Sequence, residues 1–239
     1  MDFAQARPDF NKLFQFSEIS PRVKEHLNQV YGTLSIGCLC AAATCMYTPA
    51  ALVNNFLFLI ISIIATIGLV ITMFSKKGNQ DHGTKFVCFL AITAIDGALM
   101  RPLMDQAIEI DPVIIVNALV YTAVIFGSFT LASLMTKRRS MLFLGGALSS
   151  ILMGLTVSLM FSFFTGVSFL SYFVYNVITL IVFSLYVIYD TQLIVEKAHQ
   201  GDFDYNIHAL DLFIDLVRIF IRIVRILMIL SEGKKKRND

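Results

Sequence analysis

The sequence predicts an all-α, polytopic membrane protein, and three observations carry that prediction. Of its 239 residues, 56% are apolar, and the mean hydropathy is +0.73. The apolar residues gather into long uncharged runs, unlike the mixed pattern of a soluble globular domain. Six of these runs are long enough, at about 20 residues, to cross roughly 30 Å of hydrocarbon. A seventh apolar segment is interrupted by a regular stripe of charge.

Taken in order, residues 1–29 form a polar head. It holds Arg7, Asp9, Lys12, Glu18 and Arg22 and has no apolar core, so no cleavable secretory signal is expected and the first span serves as the targeting anchor. Residues 30–230 form the transmembrane domain. Its predicted spans are Tyr31 to Tyr47, Leu52 to Phe74, Phe86 to Ile108, Val113 to Met135, Met141 to Phe163 and Leu170 to Tyr189. The connections, of about 5 to 16 residues, leave no room for an inserted soluble domain. Residues 231–239 form a basic tail with Lys234, Lys235, Lys236 and Arg237.

Basic residues fall in alternate connections. The head, Lys76/Lys77/Lys85, Lys137/Arg138/Arg139 and Lys197 lie on one side, whereas residues 48–55, 109–112 and 164–169 carry none. The positive-inside rule places the head and the basic loops in the cytosol. The seventh segment, His208 to Leu230, leaves two courses open. A re-entrant or interfacial helix would return the basic tail to the cytosol, and a full crossing would place it on the far side.

The net charge of +2 is small and sits at membrane edges, which argues against nucleic acid and for contact with anionic lipid head groups. Cys38, Cys40, Cys45 and Cys88 lie within spans at spacings that match no zinc or disulfide framework, so they read as small core residues. Gly145, Ser149 and Gly154 in "GGALSSILMG" either allow close helix approach or reflect ordinary membrane composition.

The candidate functional residues are the charges that an apolar segment should not hold, because an ionisable group at bilayer depth needs a partner or water. In "IHALDLFIDLVRIFIRIVRIL", Asp211, Asp215, Arg218, Arg222 and Arg225 are spaced by 4, 3, 4 and 3 residues. On a helix they fall within about 80° of one another. This stripe must face a water-filled cavity, a partner helix or the interface. Asp190 ends the preceding span, and the turn "HQGDFDYN" is short enough for the two helices to pack side by side. Two carboxylates meeting in a low-dielectric site cannot both ionise freely, which makes such a pair a proton sensor. Arg218, three residues after Asp215, favours its ionised form and so competes with the proton. The alternative is that these charges only hold two helices in register. In the third span Arg101 and Asp105, at i and i+4, read as a local pair, Asp96 as an edge residue, and Pro102 as a bend.

At these residues the chain resembles the Bax inhibitor family. The long match is "YDTQLIVEKAHQGDFDYNIHALDLFIDL", supported by "KRRSMLFLGGALSS", "FGSFTLASL", "RPLMDQAIEIDP" and "FNKLFQFSEISPRVKEHLNQVYGTL". The resemblance covers nearly the whole chain. It implies six transmembrane helices around a central seventh, in the endoplasmic reticulum membrane. It also implies suppression of programmed cell death, with a pH-sensitive calcium leak that lowers luminal calcium. The family's di-aspartyl sensor maps onto Asp190 and Asp215; Asp211 matches an aspartate of one branch, and the lysine-rich tail matches an end linked to pH response and partner binding. Implied partners are the lipid bilayer, survival proteins of the Bcl family and sensors of endoplasmic reticulum stress, with the oligomeric state left open. Two departures stand out. Arg101-Pro102 replaces the usual Gly-Pro and Asp96 replaces a small or polar residue, so an extra charge pair could alter a pore. The latch arginine that some relatives carry in the second span is absent from Leu52 to Phe74, so Arg101, Arg218 or no residue fills its role.

Two functional readings follow. In one, protonation at Asp190/Asp215 opens a path for calcium, a permeant ion suited to carboxylate oxygens, with no cofactor required. In the other, the protein is a membrane adaptor that restrains death-promoting or stress-sensing partners. An enzyme is not expected. The Gly-x-Gly-Asp motif of intramembrane aspartyl proteases is missing before Asp215, no Ser/His/Asp arrangement or phosphate loop is present, and His208 reads as a polar residue at a helix start.

Overall fold

The computed structural model describes residues 20–76, 81–136, 142–165 and 169–238. Among them there are eight helices and no strand: α1 (Pro21–Tyr47), α2 (Ala50–Val53), α3 (Phe56–Ser75), α4 (His82–Ile110), α5 (Val113–Met135), α6 (Leu144–Thr165), α7 (Phe169–His199) and α8 (Tyr205–Asn238). Six of the eight, α1 and α3 to α7, are long and apolar enough to cross a membrane. These are the six expected spans, with differences at their ends.

Helix α1 starts at Pro21, inside the stretch read as polar head. Ser20 caps it, with its Oγ accepting from the Val23 N–H at 3.4 Å, and Pro21 occupies the first turn. The second expected span divides at Asn54-Asn55 into α2 and α3, because the Asn55 side chain accepts from the Leu57 N–H at 2.9 Å and starts a new helix. Helix α4 continues through Pro102. Helix α7 runs past Tyr189 to His199 and ends at Gly201, whose φ of 96° suits glycine. There the Asp202 N–H donates to the Lys197 carbonyl at 3.0 Å and the Gly201 N–H to the Ala198 carbonyl at 3.2 Å. This double closure is a Schellman motif, and it turns the chain sharply into α8.

Helix α8 is unbroken and occupies the centre. It packs against α1, α4, α5 and α7, while α3 rests mainly on α4 and α6 on α7. Leu212, Phe213, Ile219 and Val224 are fully buried around it. Only 11% of the α3 window and 6% of the α6 window are buried, so these two helices form the lipid-facing flanks. Once Asp204 has capped α8, the helix contains no proline to break it, and it pairs with α7 from Arg218 against Phe183 to Arg225 against Tyr172. The side chains of Lys234, Lys235, Lys236 and Arg237, like residues 1–19 of the head and the basic loop residues Lys77 and 137–139, lie outside those described.

The tightest helix contact joins α1 to α4. A side chain at Gly97 would strike the Ala41 carbonyl, and one at Gly37 would strike the Phe89 ring. Gly145 likewise faces the Tyr189 ring, and Ser149 Oγ lies 3.1 Å from the Tyr186 hydroxyl, whereas Gly154 faces open space. Close approach thus holds for the first part of "GGALSSILMG" only. All four cysteines are free, with Cys45 and Cys88 buried and Cys38 and Cys40 half-buried.

Candidate functional site

The stripe on α8 faces a partner helix, α7, in antiparallel register. Arg225 Nη1 donates to the Tyr172 hydroxyl at 3.3 Å. One turn earlier, Arg222 Nη1 donates to Asn176 Oδ1 at 3.2 Å, and its guanidinium lies 5.2 Å from the Tyr175 ring centroid. The Arg218 guanidinium lies 5.1 Å from the Phe183 centroid. Among the described residues ring faces, an amide and a phenol hydroxyl take the place of counter-ions for the three arginines, which planar guanidinium groups tolerate better than ammonium groups do.

Beyond the arginines the same register brings acid to acid. Asp215 is 2% exposed, and its Oδ2 has no hydrogen-bond partner in the structure. Across the interface the Asp190 carboxyl stands within hydrogen-bonding reach of it. Two carboxylate oxygens this close repel unless a proton sits between them. Asp211, one turn along α8, adds its charge to the Asp190 side, where Lys197 opposes it. Arg218 acts electrostatically on Asp96, Asp190 and Asp215 together. Among the described residues it makes no ion pair within 4 Å of them, because its side chain lies on the Phe183 ring. Helix α4 thus contributes a third carboxyl, Asp96, to the surroundings of Arg218.

Arg101 belongs elsewhere. Its Nε donates to Asp105 Oδ1 at 2.8 Å, the local pair expected from the sequence, and its Nη1 donates to the carbonyls of Met46 at 2.8 Å and Cys45 at 3.3 Å. It closes the end of α1. With Asp105 it borders a cavity of about 600 Å³ between α1, α4, α5 and α8, where Phe213, Val217 and Phe220 form the α8 wall. Those three residues lie on the side of α8 opposite the charged stripe, so the cavity and the carboxyl pair are separated by the helix itself.

Two further buried polar contacts sit where α8 begins. His26 Nε2 lies 2.8 Å from His208 Nδ1, with exposures of 2% and 0%. Lys85, 3% exposed, forms an ion pair with Asp204. Sequence reading placed His208 only at a helix start and Lys85 in a basic loop, whereas Lys85 lies buried in the first turn of α4, and it did not single out His26. The available signal was spacing, because His208 continues the 3-and-4 step of the stripe back from Asp211. Among the described residues there is no group of three or more His, Cys, Asp or Glu side chains placed to hold a metal ion.

Fold and site together define a polytopic helical membrane protein built around a charged central helix, with a carboxyl pair, buried Asp215 and half-buried Asp190, between its last two helices. A family model described as "Inhibitor of apoptosis-promoting Bax1" matches residues 23–232. Bax inhibitor 1 of Oryza sativa subsp. japonica is 37% identical over 236 residues, covering 95% of this chain and 91% of its own. Bax inhibitor 1 of Bos taurus is 35% identical over 240 residues, covering 99% and 100%, and that of Homo sapiens 34% over 239 residues, covering 99% of each. The chain belongs to the Bax inhibitor family.

Proposed function

We propose that this chain suppresses programmed cell death from the endoplasmic reticulum membrane, with its amino-terminal end in the cytosol. In this reading it is a proton-gated calcium leak rather than an enzyme, and it modulates stored calcium and unfolded-protein signalling. The observation that carries the reading is the Asp190/Asp215 pair, in which a half-buried and a buried acid face each other between α7 and α8 with no ion pair to a cation among the described residues. Neutralising one acid removes the repulsion that the shared proton offsets, and gaining or losing that proton changes the force between α7 and α8. Arg218, held on Phe183 within electrostatic range of both acids, stands ready to replace the proton when it leaves. The apolar cavity on the opposite face of α8 fits a closed state. An ion path through the bundle requires α8 to shift relative to α1, α4 and α5, so that carboxylate oxygens meet the cavity.

The test is calcium efflux from proteoliposomes holding the full chain, followed from about pH 5 to pH 8 for wild type, Asp190→Asn and Asp215→Asn. Efflux that rises as pH falls, with a profile reshaped by either substitution, supports the leak. No efflux above empty liposomes at any pH defeats it and favours the adaptor reading, in which partners such as survival proteins of the Bcl family or stress sensors engage the spans and tail.

A further inference from the structure

The cavity beside Arg101 is wide, apolar and open on one side, and these features restrict what can occupy it. Its walls run from Cys38 to Met46 on α1, Met100 to Ile108 on α4, Ile115 to Ala123 on α5 and Phe213 to Phe220 on α8. Each wall covers about two helical turns, so the cavity is about 12 Å long. Spread over that length, its volume of about 600 Å³ gives a mean width of about 7 Å. A single alkyl chain, whose carbons approach their neighbours to about 4 Å, leaves more than half of that cross-section unfilled. A rigid fused-ring body fills it.

The opening faces lipid. Ala42 on α1 and Leu119 and Ala123 on α5 line the cavity and are themselves exposed. The outer faces of the same two helices are apolar, with Leu39 72% and Val120 53% exposed. An occupant therefore enters from the bilayer, and a hydrocarbon body gains the dispersion contacts that the walls otherwise lack. Thr122 offers nothing polar to compete, because its hydroxyl donates to the Ala118 carbonyl at 2.7 Å. The Cys38 and Cys45 thiols act as small apolar groups, and the flexible thioethers of Met46, Met100 and Met104 adapt to a bound shape.

The polar end is equally selective. Arg101 Nη1 rests on the Met46 and Cys45 carbonyls, which brings the guanidinium to the end of the cavity nearest the α1–α2 connection. Its Nε is taken by Asp105 Oδ1, whereas among the described residues Nη2 of Arg101 and Oδ2 of Asp105 have no hydrogen-bond partner. The pair carries no net charge, so it does not draw in a phosphate or a carboxylate, and Asp105 repels either one. Side by side it presents one free donor and one free acceptor. A hydroxyl group uses both, accepting from Nη2 and donating to Oδ2.

We infer that this cavity is a binding site for a membrane sterol, a neutral lipid with a single hydroxyl on a fused-ring body. The hydroxyl binds between Arg101 and Asp105, the rings lie against Phe213, Val217 and Phe220 of α8, and the flexible tail leaves through the gap between α1 and α5. The site lies across α8 from the Asp190/Asp215 pair and stands independently of the leak. It also gives a use to the Arg101/Asp105 charge pair, which the carboxyl site does not employ.

The experiment is photolabelling of the purified full chain in detergent micelles with a diazirine-bearing cholesterol, the adducts being located by mass spectrometry. Competitors are cholesterol, its 3-methyl ether, palmitic acid and phosphatidylcholine. The methyl ether still accepts from Arg101 but has no hydrogen to donate to Asp105, so it tests the head contact with the protein unchanged. The expected result is saturable labelling on the cavity walls, displaced by cholesterol and at least fivefold less well by the other three. Ala123→Phe, which fills the mouth from α5, and Ala42→Phe, which fills it from α1, should each reduce labelling at least fivefold. Val124→Phe, at a position 60% exposed that does not line the cavity, should leave it unchanged. Wild-type labelling in both mouth variants places the sterol elsewhere and overturns the site. Palmitic acid or phosphatidylcholine competing as well as cholesterol shows an unselective lipid crevice, and the methyl ether doing so removes the hydroxyl contact; either overturns the assignment. Absence of saturable labelling overturns it as well.

Discussion

Removing the ammonium of Lys85 should destabilise the bundle severely, and the structure indicates by how much. The Lys85 side chain is 4% exposed and that of Asp204 14%, and the two form an ion pair that ties α4 to the first turn of α8. The other Asp204 oxygen caps α8 by accepting from the Ile207 N–H at 3.4 Å. Breaking a buried pair by removing one partner costs about 3–5 kcal/mol, because the remaining charge is stranded. In Lys85→Met the stranded group is the carboxylate, which keeps its capping bond and a little water, so the loss belongs at the lower end, about 3 kcal/mol. In Asp204→Asn the stranded group is a cation with almost no water, and the loss belongs at the upper end, about 5 kcal/mol. The double variant leaves no charge behind and an asparagine that still caps, so it should return to within about 1 kcal/mol of wild type. Equilibrium unfolding in mixed micelles, followed by circular dichroism, measures all three. A loss below about 1 kcal/mol in Lys85→Met, the range of an exposed pair, would refute the reasoning. So would a double variant that simply sums the single losses.

Other substitutions test other contacts. Gly97→Ala places a methyl group against the Ala41 carbonyl and should lower stability by about 1–3 kcal/mol, whereas Gly154→Ala, facing open space, should leave the melting temperature unchanged. Gly201→Ala forces an alanine to a φ of 96° at the α7–α8 corner and should cost about 1–3 kcal/mol in the same unfolding assay. Arg222→Met removes both the Asn176 hydrogen bond and the Tyr175 ring contact and should cost about 1–2 kcal/mol; an effect no larger than that of an exposed lysine substitution would show that the arginine ladder adds nothing to helix pairing. For the leak, efflux should be greatest at acid pH in wild type and lose its pH dependence in Asp190→Asn.

The six spans were legible because a run of about 20 apolar residues has few other uses. Their ends were less so. Ser20-Pro21 and Asn54-Asn55 act through backbone capping, which hydropathy windows do not register. The stripe from Asp211 to Arg225 was legible as one helix face, and its facing Asp190 followed from the short turn around Gly201. Its long-range partners were not. Phe183, Tyr175, Asn176 and Tyr172 meet the arginines only because α7 and α8 pair without slipping, and nothing local in α7 marks those four residues. The His26–His208 contact joins residues 182 positions apart, and each histidine alone looks like an ordinary polar residue near a helix end.

The central claim is that Asp190 and Asp215 hold one proton between them, and infrared difference spectroscopy tests it most directly. Spectra of the wild-type chain in detergent, recorded from about pH 5 to pH 8, are compared with those of Asp190→Asn and Asp215→Asn. The account predicts a protonated-carboxyl C=O band in wild type at neutral pH that disappears in both variants, since either asparagine leaves the remaining acid free to ionise beside Arg218. A band that survives both substitutions, or a wild-type spectrum without one across the whole range, would contradict it.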